Sequence, residues 1–348
     1  MDDSYLNVKI DSKKFSGTEI LNGIEFSLHR GEVLCLMGAS GSGKTTLARC
    51  IAGFEQFEGN IVLNSKDITH VHPRSRRVGI VPQDGALFPH LNVEGNIGFG
   101  IKDKNIRKEK IRKLLEIVEL DQIDGILKKK VDQLSGGQQQ RVAVARALSS
   151  DPEVIILDES FTSLDQWLRA TVRKQILNSI KKTNTTVIVI THDIAEAFEL
   201  GDRVGVIDSG KLVQIGSSSE IYNEPVNLEV ARLVGSANIL SFDETNFGAN
   251  FKDFTGKQKD LDSENKVLML RPEHIVLAGP DSDLRIPAKI VDIKVNGPLT
   301  DVFLSLEDRG DLLVSSNQDL AGKNIGDEVE ISFSDSGIVY KSEFEYQI

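Results

Sequence analysis

The segment GASGSGKTT, residues 38 to 46, places three glycines and one lysine directly after the apolar run EVLCLM. Gly38, Gly43, Lys44 and Thr45 match the pattern G-x-x-x-x-G-K-[ST], and the strand-like run before it and the helix-like run after it are the context that this pattern requires. Glycines let backbone N–H groups turn towards a phosphate, and the Lys44 ammonium compensates the β- and γ-phosphate charge. Thr45 is placed to bind Mg²⁺. The segment predicts a phosphate-binding loop, because a glycine-rich turn without a ligand would leave the lysine unexplained.

A phosphate-binding loop needs an acidic residue for magnesium and a group that activates water. The segment VIILDES, residues 154 to 160, offers both. Its apolar residues predict a buried strand, and Asp158 and Glu159 follow at the carboxyl end, where ligands of parallel sheets collect. Two such acids in isolation would more often form a solvated turn. Beside the loop, we expect Asp158 to hold Mg²⁺ through its water shell and Glu159 to orient the attacking water.

The segment LSGGQQQR, residues 134 to 141, carries a third signal. Ser135 and the two glycines after it predict the start of a helix, whose exposed N–H groups form a second anion site. An ordinary helix N-cap is a correct but incomplete interpretation of this segment. Because the chain already has one phosphate-binding loop, two half-sites imply that two chains combine.

Charge and periodicity divide the chain into two parts. Of the net charge of −11, nearly all lies in residues 236 to 348, which contain 21 acidic and 11 basic residues. Before them, strand-like and helix-like runs alternate, which predicts βα units and a largely parallel sheet. Within them only strand-like runs occur, as in a small antiparallel barrel or sandwich. We therefore expect a boundary near residues 235 to 240, with domains at 1–235 and 236–348.

Composition excludes several classes of protein. No apolar run approaches the roughly 18 residues that span a bilayer, and the acidic start MDDSYLNVKI lacks the features of an export signal. The two cysteines, Cys35 and Cys50, have neither disulfide nor metal-ligand spacing, so we expect both in the core. In the segment IRKEKIRKLLEIVEL the basic residues face away from the apolar ones, which indicates a solvated face or, alternatively, one near anionic lipid headgroups.

Together, the segments GASGSGKTT, LSGGQ, VIILDE and THD resemble the ATP-binding subunit of ABC transporters. In this family two such domains enclose two ATP molecules. The resemblance implies an α/β P-loop ATPase domain with a helical subdomain at about residues 84–150, followed by a small all-β, OB-like regulatory domain. LRPEHI, residues 270 to 275, is the clearest match to that second domain.

The resemblance also implies a role for each matching residue, with ATP and Mg²⁺ as cofactors. Glu159, His192 and Gln83 would be catalytic, and Thr45, Gln83 and Asp158 would hold the magnesium ion. Phe15 would stack on adenine, with core packing as its alternative role, and Asp165 would lie across the dimer interface. The remaining nucleotide-binding residues would be Gly38, Ser40, Gly41, Gly43, Lys44, Thr45, Thr46, Ser135, Gly136, Gly137 and Gln138.

At the level of function, the resemblance implies a homodimeric importer ATPase that serves a separate membrane permease and, indirectly, a solute-binding receptor. Such a subunit lies peripherally on the cytoplasmic side of the inner membrane and needs no nucleic acid. The segments QDGALFPHL and QQQR most resemble ferric-iron importer subunits, with polyamine and sulfate relatives close. The alternatives are ABC ATPases that act on ribosomes or DNA, and a metabolite kinase, in which LSGGQ would have no role.

Overall fold

The computed structural model describes residues 4–159, 166–181, 183–242, 257–258, 266–277, 285–296, 299–306, 310–316, 323–333 and 338–341. The chain forms two compact units, Met1–Ile221 and Tyr222–Ile348. Among these described residues, no helix is long and apolar enough to cross a membrane.

The first unit contains two sheets and the helices that pack against them. Its strands are β1 (Leu6–Phe15), β2 (Thr18–Leu28), β3 (Val33–Met37), β4 (Glu58–Leu63), β5 (Lys66–Asp67), β6 (Val78–Val81), β7 (Val154–Asp158), β8 (Thr186–Ile190), β9 (Arg203–Asp208) and β10 (Lys211–Gly216). Its α-helices are α1 (Lys44–Ala52), α2 (Val93–Gly98), α3 (Arg107–Ile117), α4 (Gly136–Leu148), α5 (Gln166–Lys181), α6 (Ile194–Leu200) and α7 (Ser218–Asn223), whose last two residues belong to the second unit. Short 3₁₀ turns occupy Pro73–Ser75, Ile126–Lys128 and Val131–Gln133.

The six-stranded sheet has the order β10-β9-β3-β8-β7-β6. The pairs β9–β3, β3–β8, β8–β7 and β7–β6 are parallel, and only β10 runs antiparallel to its neighbour. Every residue of β3, β7 and β8 is buried, which explains their continuous apolar sequences. The parallel pairing brings the carboxyl ends of five strands to one edge of the sheet.

The second sheet of this unit is antiparallel, with the order β2-β1-β4-β5. The alternation of apolar and polar residues in β1 buries Leu6, Val8 and Ile10 at 0–1% exposure, which leaves the intervening residues to the other face. One apolar core joins this sheet to β3 and α1. The sequence predicted the parallel sheet but not this antiparallel one.

Between β6 and β7 the regular structure is helical, with α4 packed against α2 and α3. Helix α3 buries Ile111, Leu114 and Leu115. Three of its basic residues are paired with acidic ones: Lys113 with Glu109, Arg112 with Glu116 and Lys110 with Asp151. This pairing favours the interpretation of the basic run as a solvated helix face.

The second unit consists mainly of strands. They are β11 (Asn238–Phe242), β12 (Lys257–Gln258), β13 (Lys266–Leu270), β14 (Ile275–Leu277), β15 (Ile286–Asn296), β16 (Leu299–Leu306), β17 (Gly310–Ser316), β18 (Glu328–Phe333) and β19 (Ile338–Lys341). Two sheets, ordered β11-β13-β19-β12 and β14-β18-β15-β16-β17, form a nearly closed barrel. The run KVLMLRPEHIVLA is not one strand, because the 3₁₀ turn Pro272–His274 sends its two halves into different sheets.

Arg271 connects the barrel to the segment that precedes it in the second unit, residues 222–236. Its side chain is 2% exposed, and its guanidinium donates hydrogen bonds to the carbonyls of Tyr222, Ala231, Gly235 and Ser236 at 2.9–3.2 Å. The helix α8 (Leu228–Leu233) is held in this way. These bonds give a physical reason why the structural division falls at residue 222 and not near residues 235 to 240, where the charge changes.

We expect Arg271→Met to lower the free energy of unfolding of the second unit by about 3 kcal/mol, because four backbone carbonyls lose their charged donor and the bond to Ala231 is fully buried. Arg285→Met is the matched control: Arg285 pairs with Glu330 on the surface, and such pairs contribute about 0–1 kcal/mol. Hydrogen exchange of the amides in residues 222–236 and 266–277, measured against urea concentration, checks both variants. Equal effects of the two variants would contradict the role assigned to Arg271.

Candidate nucleotide-binding site

The loop between β3 and α1 has a backbone that depends on its glycines. A Cβ atom at Gly38 would lie 2.0 Å from the carbonyl oxygen of Ile207, so no larger residue fits there. Gly43 precedes α1 with φ at +102°, a conformation that residues with a side chain rarely adopt. The chain therefore enters α1 through a tight turn, and the first N–H groups of that helix have no partner within the helix.

Lys44, the first residue of α1, lies inside this loop. Its ammonium donates hydrogen bonds to the carbonyls of Gly38 (2.9 Å) and Ala39 (2.8 Å) and lies 3.3 Å from Ser42 Oγ. The side chain is 5% exposed. Burial lowers the pKa of Lys44, and the carboxylates of Glu159 and Asp158 oppose that shift. The loop thus holds one positive charge at a fixed position, as a phosphate site requires.

Asp158 and Thr45 bring together two oxygen ligands at the same edge of the sheet. Thr45 Oγ1 donates to Asp158 Oδ1 at 3.3 Å. Burial raises the pKa of Asp158, and the bond from Thr45 and the charge of Lys44 act in the opposite direction. A hydroxyl and a carboxylate are the kind of ligands that Mg²⁺ takes beside phosphates, so these two side chains fit the ion.

Glu159 and His192 lie at the ends of the neighbouring strands β7 and β8. Glu159 has φ at +46°, in the left-handed region that a glutamate rarely occupies, and its N–H donates to the carbonyl of Ile190 at 3.0 Å. His192 Nδ1 lies 3.5 Å from Glu159 Oε1. The unusual backbone conformation at Glu159 is typical of residues held in place at functional sites.

Gln83 follows β6 on the far side of β7. Val81 pairs with Leu157, so Gln83 lies just beyond the same sheet edge. It lines a cavity of about 140 Å³ together with residues of the loop that follows Gln83 and residues of α4, including Gly136. Arg146 of α4 donates to the carbonyls of Gly85 and Ala86 and so anchors this loop. No sequence pattern pointed to Arg146, because helical periodicity does not indicate which loop a side chain reaches.

The remaining predicted residues of the loop are accessible. Ser40, Gly41 and Thr45 are exposed, and Thr46 is half-buried. Phe15, the last residue of β1, is 43% exposed, and Lys13 Nζ lies 4.2 Å from the centre of its ring. This exposure leaves an aromatic face open to a ligand and disfavours core packing as its role.

The signature segment lies on a different element. Ser135 is the N-cap of α4 and forms a capping box, in which Gln138 N–H donates to Ser135 Oγ at 3.3 Å and Ser135 N–H donates to Gln138 Oε1 at 3.1 Å. Ser135 and Gly136 are exposed, and Gly137 is buried. In the part of the chain that the structure describes, no hydrogen bond joins this segment to the phosphate-binding loop. Asp165 lies outside the described residues.

Comparisons with known proteins identify the family of the chain. A family profile described as "ABC transporter" matches residues 21–162, and one described as "TOBE domain" matches residues 268–340. The spermidine/putrescine import ATP-binding protein PotA of Oleidesulfovibrio alaskensis is 43% identical over 282 residues, which cover 76% of this chain and 74% of that protein. The Fe(3+) ions import ATP-binding protein FbpC 2 of Haemophilus influenzae is 35% identical over 346 residues, which cover 96% of this chain and 97% of that protein.

Two solved structures resemble the first unit in size and fold. CbiO1 of Clostridium perfringens, part of the ABC transporter complex cbiONQ, matches at 30% identity and a TM-score of 0.58, covering 67% of this chain and 95% of that one. A dimeric ATP-binding cassette in a post-hydrolysis state, bound to ADP and phosphate, matches at 28% identity and a TM-score of 0.53, covering 61% of this chain and 98% of that one. With a phosphate loop, a magnesium-type ligand pair and a glutamate gathered at one sheet edge, the chain belongs to the ABC transporter family as the ATP-binding, ATP-hydrolysing subunit of an importer.

Proposed function

We propose that two copies of this chain close around two ATP molecules, that closure moves a separate membrane permease, and that hydrolysis resets it. The separation of the two anion-binding elements supports this proposal most directly. The loop at Lys44 leads into α1 at the sheet edge, whereas Ser135 is the N-cap of a different helix, α4, and is exposed together with Gly136. Each ATP would therefore contact Lys44 of one copy and Ser135 and Gly137 of the other. The solved dimer with ADP and phosphate is a relative with such an assembly.

Each nucleotide would be held from three directions, two of them within one copy. The N–H groups of Gly38, Ser40, Gly41, Gly43 and Thr46, with the Lys44 ammonium, would bind its phosphates. Phe15 would offer its exposed ring to the adenine. From the second copy, Ser135, Gly136, Gly137 and Gln138 would close the site, with Asp165 across the interface.

The chemical step would depend on a few side chains of the sheet edge. Mg²⁺, when bound, supplies positive charge that stabilises the developing phosphate charge. Thr45, Asp158 and Gln83 would hold it, while Glu159 would accept a hydrogen bond from the attacking water and polarise it. His192, 3.5 Å from Glu159, would donate a hydrogen bond to the γ-phosphate and keep the water and the phosphate aligned. Positioning of the reacting groups and electrostatic stabilisation together supply most of the catalysis in phosphoryl transfer.

We infer that the assembly imports ferric iron, with a polyamine as the alternative cargo. The similarity of QDGALFPHL and QQQR to ferric-iron importer subunits supports iron, and FbpC relatives match nearly the full length of the chain. PotA relatives match equally well, which keeps the polyamine open. The chain would work peripherally at the cytoplasmic side of the inner membrane, beside a permease that receives its solute from a binding receptor.

We expect Glu159→Gln to bind ATP normally but to hydrolyse it on the order of 10²–10³-fold more slowly, since the phosphate contacts remain and the water loses its carboxylate. Glu153→Gln, just before the opposite end of β7, is the matched control and should keep near-normal turnover. Phosphate release and nucleotide binding are measured for both. Near-normal hydrolysis by Glu159→Gln would contradict the catalytic assignment.

We expect Ser135→Arg to retain nucleotide binding and to lose ATP-dependent dimers, because the larger side chain blocks the approach of the partner's nucleotide. Ser150→Arg places the same side chain beyond the other end of α4, where Ser150 is exposed, and should dimerise as the wild type does. Light scattering with ATP, in the Glu159→Gln background to slow hydrolysis, separates the two. Unchanged dimers of Ser135→Arg would exclude the shared site.

Deletion of the gene should reduce uptake of labelled ferric iron and leave putrescine and sulfate uptake unchanged. Complementation with the wild-type gene should restore iron uptake, and the Glu159→Gln gene should not. Loss of putrescine uptake with normal iron uptake would overturn the choice of solute and leave the ATPase assignment untouched.

A further inference from the structure

A buried polar cluster lies directly behind His192 and has no part in the site as described so far. Its members are Thr191, Glu196 and Arg173, at 3%, 6% and 6% exposure. They come from three elements: Thr191 follows β8, Glu196 belongs to α6, and Arg173 belongs to α5. Polar groups are costly to bury unless they are bonded to one another, so the contacts within this cluster explain its position.

The hydroxyl of Thr191 closes a turn around His192. Thr191 Oγ1 accepts a hydrogen bond from Asp193 N–H at 3.0 Å and donates one to Glu196 Oε2 at 2.6 Å. Thr191 N–H donates to the carbonyl of Leu36 at 3.1 Å. The residues on both sides of His192 are therefore fixed, one to the strand that leads into the phosphate-binding loop and the other to the threonine hydroxyl.

The glutamate that receives this hydroxyl is itself held in place. Arg173 Nη1 lies 2.8 Å from Glu196 Oε2, with both side chains less than a tenth exposed. Glu196 N–H donates to Asp193 Oδ1 at 3.0 Å, which caps α6. Both sequence neighbours of His192 thus bond to Glu196: Thr191 bonds to the Glu196 carboxylate and Asp193 to the Glu196 backbone N–H.

His192 itself depends on this support. Its side chain is 56% exposed, so packing against neighbouring side chains does little to fix the ring. A ring on an exposed loop keeps its direction only if the backbone that carries it is fixed. The backbone next to His192 is fixed by hydrogen bonds to the Thr191 hydroxyl and in the capped first turn of α6.

We propose that Thr191, supported by the Glu196–Arg173 pair, is a positioning residue that holds His192 towards Glu159 and the γ-phosphate. The proposal rests on the proposed function, in which His192 contacts that phosphate. Thr191 acts only through the backbone of His192 and touches no nucleotide. Its removal should therefore change the rate of the chemical step and leave ATP binding nearly unaltered.

The test compares three single variants of the full chain by steady-state ATP hydrolysis. Thr191→Val removes the hydroxyl at nearly equal volume and should lower kcat on the order of tenfold or more, with KM for ATP within about twofold. Thr191→Ser keeps the hydroxyl and should restore kcat to within about twofold of the wild type. Circular dichroism and nucleotide binding confirm that each variant is folded.

Thr186→Val is the matched control at the other end of β8. Thr186 is equally buried, and its hydroxyl accepts from Gly31 N–H at 3.0 Å and donates to the carbonyl of His29 at 3.3 Å. This variant also loses a buried, bonded hydroxyl, but it should keep kcat. An equal fall of kcat in Thr186→Val and Thr191→Val would show a general effect of stability and overturn the proposal.

A double-mutant cycle then asks whether Thr191 works through His192. In a His192→Ala background, measured by single-turnover release of labelled phosphate, Thr191→Val should cause no further loss. A further tenfold loss there, or a wild-type kcat for Thr191→Val alone, contradicts the positioning role. A wild-type chain that binds ATP but does not hydrolyse it contradicts the proposed function instead, so the two failures are distinguishable.

Discussion

The parallel pairing of β3, β8, β7 and β6 is the constraint on which the site depends. Leu36 pairs with Ile190, Ile190 with Asp158, and Leu157 with Val81. This register places the phosphate-binding loop, His192, the two acidic residues and Gln83 in one row beyond the sheet. A shift of one residue in any of these pairs would turn its side chains to the opposite face and displace the residues that follow the strand, so the chemistry requires this register.

Buried charge is the second organising feature of the first unit. Lys44, Asp158, Glu196 and Arg173 are each less than a tenth exposed, and each would be unfavourable without its partner. Lys44 is held by loop carbonyls and Glu196 by a hydroxyl and a guanidinium. The unit therefore keeps charged groups near the nucleotide at the cost of stability, and the continuous apolar core of both sheets offsets that cost.

The sequence was most informative where a short segment carries its own chemistry. Glycines around Lys44 and acids after VIIL need only local context, and the strand, loop and helix that they predicted are present. It was least informative where distant residues meet: the antiparallel sheet pairs Leu6 with both Leu28 and Leu63, and Arg271 reaches carbonyls about 40 residues earlier in the chain. The tripeptide THD pointed to His192, but only the fold reveals that its threonine is bonded to α6. The roles proposed for Ser135 and Asp165 involve a second copy of the chain.

The pairing of β3 also affects how the protein is made. Val33 pairs with Val187, and Leu34 pairs with Arg203. The strand that leads into the phosphate-binding loop can therefore pair with its neighbouring strands only after most of the unit has left the ribosome. Until then, β3 is an apolar segment with two open edges, the kind of nascent chain on which chaperones act. The hairpin of β1 and β2, which spans residues 6–28, can form early, because the two strands pair directly. During translation, the hairpin of β1 and β2 can therefore cover apolar residues of β3 before the nucleotide site has formed.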